Sequence, residues 1–301
     1  MSARPKIADI LEATKAGLVL GASGAGATAL AAAAGLTSVA AIAPVAVVLG
    51  VLTAATHYWK TQQARVAAES LEIARRRFGA LEQQIAETQG LVQLASLRLP
   101  YPLAFGGDFA LTADAAAVLA RQVALCSPDV VVELGSGVST ILVGKLLQDQ
   151  GRGRIYSLDH DAAWAEQTRK LVRAAGLQDR AEVLDAPLTR QEVDGEKFLW
   201  YDVPGKVKDL AQIDLLIVDG PPQVTEPGGL PRYPALPKLL SQLSPSATIF
   251  VDDATRPGER EMVRRWLERI PGWTATFMQT GPGTCLLCRS PSTGQQDMTK
   301  G

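Results

Sequence analysis

Histidine and cysteine are scarce, and their scarcity excludes several chemistries at once. There are two histidines, His57 and His160, and three cysteines, Cys126, Cys285 and Cys288. So few and scattered ligands build neither a closed tetrahedral zinc site nor a disulfide framework. The one Cys-x-x-Cys pair, Cys285 and Cys288, lies in the apolar run Thr284-Cys-Leu-Leu-Cys and reads as buried strand thiols rather than a redox pair. Net charge is lacking too. With 30 Lys and Arg against 31 Asp and Glu, the formal charge is −1. No global positive field draws in a phosphate backbone, so nucleic acid is not an expected partner.

The longest absence is local: residues 16–59 contain no Asp, Glu, Lys or Arg. One bilayer crossing takes roughly 20 residues, so this segment has room for two. Its first half carries Gly17, Gly21, Gly24 and Gly26, with a GxxxG spacing at the first pair, and 39–55 is richer in Val, Ile and Leu. A turn near 35–38 makes a hairpin, kinked at Pro44. Basic residues flank both ends, with Arg4, Lys6 and Lys15 before and Lys60, Arg65 and Arg75 to Arg77 after. The positive-inside tendency then places both ends in the cytoplasm, with the rest of the chain at the inner face of the cytoplasmic membrane. A cleaved signal peptide is disfavoured, since its apolar core spans only about 7 to 15 residues. The competing reading is an Ala-rich helical pair that packs without lipid.

Residues 60–99, between the hairpin and the domain that follows, repeat every seven positions. Leu71, Phe78, Ile85, Val92 and Leu99 form one row, and Ala67, Ala74, Leu81 and Ala95 the offset row. This predicts an amphipathic helix that either pairs as a coiled-coil homodimer or packs on the following domain. Thr88 interrupts the seam, Gly79 and Gly90 along the helix weaken it, and Pro100 and Pro102 close the helix.

Across 100–301 the texture changes to strands alternating with helices. Val130-Val-Val-Glu-Leu, Arg154-Ile-Tyr-Ser-Leu-Asp, Ala181-Glu-Val-Leu-Asp, Ile213-Asp-Leu-Leu-Ile-Val-Asp and Ala247-Thr-Ile-Phe-Val-Asp-Asp are short, β-branched-rich runs with an acid at or beside their ends. With amphipathic crossovers between them they predict an α/β fold, a doubly wound, mostly parallel, Rossmann-like sheet covered on both faces. Ligands bind beyond the carboxyl ends of such strands, where these acids fall.

After the first run, Glu133-Leu-Gly135-Ser136-Gly137-Val-Ser139-Thr140 opens a helix with two glycines that admit a ligand to the backbone. A carboxylate at Glu133 would repel a pyrophosphate but suits the ammonium group of S-adenosylmethionine, so the loop favours the methyl donor over a dinucleotide. Asp159, with His160 beside it, stands at the offset where an acid grips ribose hydroxyls. Asp185, followed by Ala186, can accept from an adenine amino group. Helix capping and an ordinary turn are the alternatives for these two acids. Asp219, Asp252 and Asp253 converge from neighbouring strand ends. A divalent cation, Mg²⁺ by default, is one counter-ion for them; pairing with Arg232 or Arg256 is the other. Arg232, Tyr233 and Arg256 are the acceptor-side candidates, beside a Pro- and Gly-rich loop at 223–231 that would serve as a lid. Trp200 and Tyr201 read as core or rim aromatics.

The ordered set Val132-Glu-Leu-Gly-Ser-Gly-Val-Ser-Thr, Tyr156-Ser-Leu-Asp-His-Asp, Asp185-Ala-Pro-Leu, Asp214-Leu-Leu-Ile-Val-Asp-Gly-Pro-Pro, Arg232-Tyr-Pro-Ala-Leu-Pro and Val251-Asp-Asp-Ala-Thr-Arg resembles the bacterial class I, S-adenosylmethionine-dependent methyltransferases, in their O-methyltransferase-like branch. The resemblance covers about 99–289 and leaves the first hundred residues unmatched. It implies that Asp219, Asp252 and Asp253 take the metal positions of the catechol and caffeoyl-CoA enzymes, with Asp219 central to catalysis. Two departures stand out: Asp253 where Asn is usual, and Pro222 where a lysine base is expected. The acceptor class is open among small phenols, lipids, glycans and proteins. A membrane scaffold that keeps the fold without turnover is the rival reading. An NAD-dependent oxidoreductase is disfavoured by Glu133 and by Thr140, which stands where a close-packing glycine would be needed.

Overall fold

The computed structural model describes residues 33, 35, 39–99, 101–106, 110–223 and 229–290. Of the expected hairpin, the Gly17 and Gly21 spacing and most of the turn at 35–38 lie outside the described residues. Helix α1 runs from Val39–Leu94 in one piece, across the expected boundary at 59 and 60, and ends before Pro100. Among the described residues no helix is long and apolar enough to cross a membrane.

The chain divides into two compact units, 1–81 and 82–301. In the first, α1 leaves Val47, Val51, Trp59, Val66, Leu71, Phe78 and Leu81 exposed. Such a row of apolar side chains in water is unusual for a lone helix.

In the second unit the last turns of α1 rest on helix α2 (Ala113–Cys126). Leu94 is buried, and Glu87 Oε2 accepts from the Ala113 backbone N–H at 2.8 Å, satisfying a donor that the helix start leaves open. Gly90 is required here, since a Cβ at that position would lie 2.4 Å from Asp114 N. Gly90 lies outside both heptad rows, and this contact explains its presence in the helix.

The remainder is a seven-stranded sheet in the order β3-β2-β1-β6-β7-β9-β8. Strands β1 (Val130–Leu134), β2 (Arg154–Asp159), β3 (Ala181–Asp185), β6 (Ile213–Val218) and β7 (Leu243–Val251) are mutually parallel neighbours. Strands β8 (Trp273–Met278) and β9 (Thr284–Arg289) close one edge antiparallel. Successive strand residues point to opposite faces, so Val131, Leu215 and Ile217 join one core and Val132, Leu134, Leu216 and Val218 the other. Helices α2, α3 (Val138–Asp149) and α4 (Ala162–Ala174) contribute to the first core. The second is shared by α6 (Ala235–Leu239), α7 (Pro257–Arg269) and a hairpin of β4 (Leu188–Val193) and β5 (Glu196–Tyr201). The mostly parallel, two-faced sheet is the expected one; the hairpin is an addition. A short helix, α5 (Gly205–Lys208), precedes β6. Trp200 and Tyr201 are fully buried, as core aromatics should be.

The Cys285 thiol is buried and pushed up to about 12 by that burial. A strand alternates its faces, so Cys288, three positions on, points away from it. All three cysteines are free.

Candidate active site

The parallel strands end together, and their ends carry two acid clusters. In the first, Glu133 is fully buried at the end of β1. Its Oε2 accepts from Thr140 Oγ1 at 2.6 Å and Ser157 Oγ at 2.5 Å. Thr140 Oγ1 in turn accepts from Gly137 N at 3.0 Å, which fixes the start of α3. Burial pushes the Glu133 carboxyl up to about 7, against the opposing hydrogen bonds from Ser139, Ser157 and Thr140. Its Oε1 has no partner among the described residues.

Asp159 joins β2 to the same loop. Its Oδ2 accepts from Ser136 N at 3.0 Å and Ser136 Oγ at 2.6 Å, and its Oδ1 from Asp161 N at 3.0 Å. A carboxylate offers about four lone-pair positions, so capacity for ribose hydroxyls remains. His160 Nδ1 lies 3.6 Å from Asp159 Oδ1. Gly135 takes φ 98°. Asp185 lies beyond this network, where Arg169 Nη2 holds it at 2.5 Å, while Ala186 N donates to Asp159 O at 2.7 Å.

Two residues of this region, Trp164 and Thr168, were not singled out in the sequence. The Trp164 indole N–H donates to Ser136 O at 2.8 Å, and Thr168 Oγ1 accepts from Ser136 Oγ at 3.1 Å. Both follow Asp161, whose carboxylate caps α4 by accepting from the N–H groups of Ala163 and Trp164. Tyr201, read from the sequence as a core or rim aromatic, also reaches this region. Its buried hydroxyl has no partner among the described residues and leaves no room for a side chain at Gly220, where a Cβ would approach it to 2.2 Å. Burial, then the charge of Asp159, raises this phenol well above its ordinary range.

The second cluster is Asp219, Asp252 and Asp253, whose carboxylate oxygens come within 4.8 Å of one another. Burial, then Asp219 and Asp253, raises Asp252 well above the carboxylate range. Asp219 is raised by burial against the opposing charge of Arg232, while about a quarter of its side chain stays exposed, 24%.

Arg232 lies beneath this triad, 3% exposed, with Nη2 2.9 Å from Asp253 Oδ2 and 3.5 Å from Asp219 Oδ1. Arg256 Nη1 reaches the same Asp253 oxygen at 2.6 Å. Ligation by Mg²⁺ requires oxygens free to approach to about 2.0–2.1 Å. Asp219 and Asp252 meet that requirement; Asp253 Oδ2, already shared by two guanidinium groups, does not.

The acceptor-side candidates therefore separate. Arg256 is on the rim, half-exposed, and Arg232 is interior. Tyr233 is not brought to the acids. Its hydroxyl donates to Asp194 at 2.8 Å and its ring lies between Phe198 and Arg265, because α7 and the hairpin enclose it. Of the expected lid, 224–228 lies outside the described residues, and Gln223 Nε2 donates to Gly229 O at 3.0 Å. A cavity of about 410 Å³ opens beside Thr189, Gln191, Tyr201, Lys208 and Gln242, and none of the three acids lines it.

Residues 132–254 match the sequence profile of a family described as Methyltransferase domain. No curated protein matches the chain. Among solved structures it is similar to a methyltransferase from Geobacter sulfurreducens, at 18% identity over 71% of this chain and 97% of that one, with a TM-score of 0.45. It is also similar to the O-methyltransferase TomG from Streptomyces achromogenes, solved with S-adenosylmethionine, at 22% identity over 68% and 90%, with a TM-score of 0.44. Residues 132–254 thus carry the sequence of a methyltransferase domain.

Proposed function

We propose that the chain moves the methyl group of S-adenosylmethionine to an oxygen nucleophile, with the donor at the Glu133 to Thr140 loop and the acceptor at Asp219. The observation that carries this reading is the loop tied through Ser136 to Asp159, with a partly exposed acid at the end of β6. Asp219 takes the proton of the acceptor hydroxyl. The oxygen then forms its bond to the methyl carbon as the carbon–sulfur bond breaks, leaving the electron pair on sulfur and S-adenosylhomocysteine as co-product. Burial makes Asp219 a stronger base than an exposed carboxylate, which compensates in part for Pro222 in the lysine position. Arg256, at the rim, is the remaining candidate for orienting the acceptor.

The acceptor is a small phenol, glycan or lipid hydroxyl, presented at the inner face of the cytoplasmic membrane. The charge-free segment 16–59 between basic flanks supports this placement. The exposed row of Leu71, Phe78, Ile85 and Val92 supports pairing of two chains through 60–99.

The test is transfer of an isotopically labelled methyl group by the full chain to a panel of phenols, glycans and lipids. Asp219→Asn should lower turnover by about 100-fold or more while leaving donor affinity near that of the wild type. Equal turnover in the variant would remove Asp219 from the base role, and donor binding without any product would favour the scaffold reading.

A further inference from the structure

We propose that Arg232 is the resident cation of the Asp219, Asp252 and Asp253 triad, in the place where a metal-dependent O-methyltransferase carries its divalent ion, so that this site works without metal. The proposal rests on the triad being the acceptor end of the methyltransferase site, but its readout is ion binding, which requires neither acceptor nor turnover.

Three features of Arg232 support this. First, the guanidinium is built in: Nη1 donates to Asp252 O at 3.0 Å and Nε to Pro221 O at 3.4 Å, so backbone on two sides of the triad fixes its plane. Second, it bridges the acids, with Nη2 on Asp253 Oδ2 at 2.9 Å and 3.5 Å from Asp219 Oδ1. A fourth buried acid, Glu259 in the first turn of α7, comes within 3.9 Å of Nη1. Third, a guanidinium keeps its charge throughout the accessible pH range, as a metal ion would. With the triad oxygens confined to 4.8 Å, a divalent ion bound there would sit close to this fixed positive charge and to Arg256.

Arg232 is 3% exposed, so it acts on the reaction through Asp219 and is a positioning residue. The chain position supports the same assignment. Asp253 stands where the metal-dependent families usually have Asn, and the additional negative charge is the one that Arg232 and Arg256 hold.

Ion binding by the full chain decides the matter, with Mn²⁺ followed by electron paramagnetic resonance and Mg²⁺ by calorimetry. Wild type should show no one-to-one site that Asp219→Asn removes. Arg232→Met, which takes away the charge and keeps the bulk, should gain such a site and bind Mn²⁺ at least about tenfold more tightly. Arg232→Lys restores a cation and should return the site to the wild-type state. A stoichiometric Mn²⁺ site in wild type that depends on Asp219 would overturn the proposal, as would a folded Arg232→Met protein without one. If Arg232→Met does not fold, the wild-type titration against Asp219→Asn still decides.

Discussion

The two acid clusters at the strand ends handle buried charge in opposite ways. Around Glu133 the partners are neutral, the hydroxyls of Thr140 and Ser157, and the carboxyl is free to take a proton near pH 7. Around Asp253 the partners are Arg232 and Arg256, which hold the negative charge in place. A site that binds a cationic donor and deprotonates an acceptor has a use for both. In the proposed reaction the neutral-partnered carboxyl faces the cationic donor, and the arginine-held cluster supplies a fixed charge beneath the base.

The sharpest way to break this comparison is to remove the fixed charge. Arg232→Met leaves several acids facing one another in the interior, and removing one partner of a buried pair costs roughly 3–5 kcal/mol. Chemical denaturation should show a loss of this size, and a loss under about 1 kcal/mol would mean that the acids are neutralised by something else.

The neutral cluster is tested through pH. The folded-state pKa of Glu133 is raised from 4.5 to about 7, so the native state holds the proton where the unfolded chain has released it. Its contribution to stability is therefore greatest below pH 4.5, falls as pH rises to about 7 and is level above, a change of about 3 kcal/mol. Glu133→Gln should flatten that slope in unfolding measurements between these values, whereas an unchanged slope would place the titrating group elsewhere.

A smaller effect separates the site from its support. Gly90→Ala puts a Cβ 2.4 Å from Asp114 N, which pushes α1 away from the start of α2. Overpacking of this kind costs typically about 1–3 kcal/mol. Thermal unfolding should register it while donor affinity stays within about twofold.

How much of this was legible in the sequence depends on the distance over which each feature is specified. The five parallel strands were, because each is a short β-branched run that ends at an acid. The β4–β5 hairpin was missed although its signal is present: Val193 pairs with Glu196 across Asp194-Gly195, a two-residue turn with φ 52° and 79°. The charged run Thr189-Arg-Gln-Glu concealed it, because polar residues alternating on an outer hairpin resemble a loop. The sequence named both counter-ions for the triad, and could not choose between them. Arg232 is twenty positions from Asp252 in the chain, and its contact depends on how the loop between β6 and α6 returns to the sheet. Tyr233 was grouped with Arg232 and Arg256 on the acceptor side, but the adjacent residues 232 and 233 diverge, one beneath the acids and one into the hairpin core.

Donor binding tests the central claim most directly. Calorimetric titration of S-adenosylmethionine into the full chain should give saturable one-to-one binding. Asp159→Ala, which unties Ser136 and removes the expected ribose contact, should weaken it by at least about tenfold, whereas Asp219→Asn should change it little. Absence of binding in the folded wild-type chain, or binding of undiminished strength in Asp159→Ala, would contradict the account.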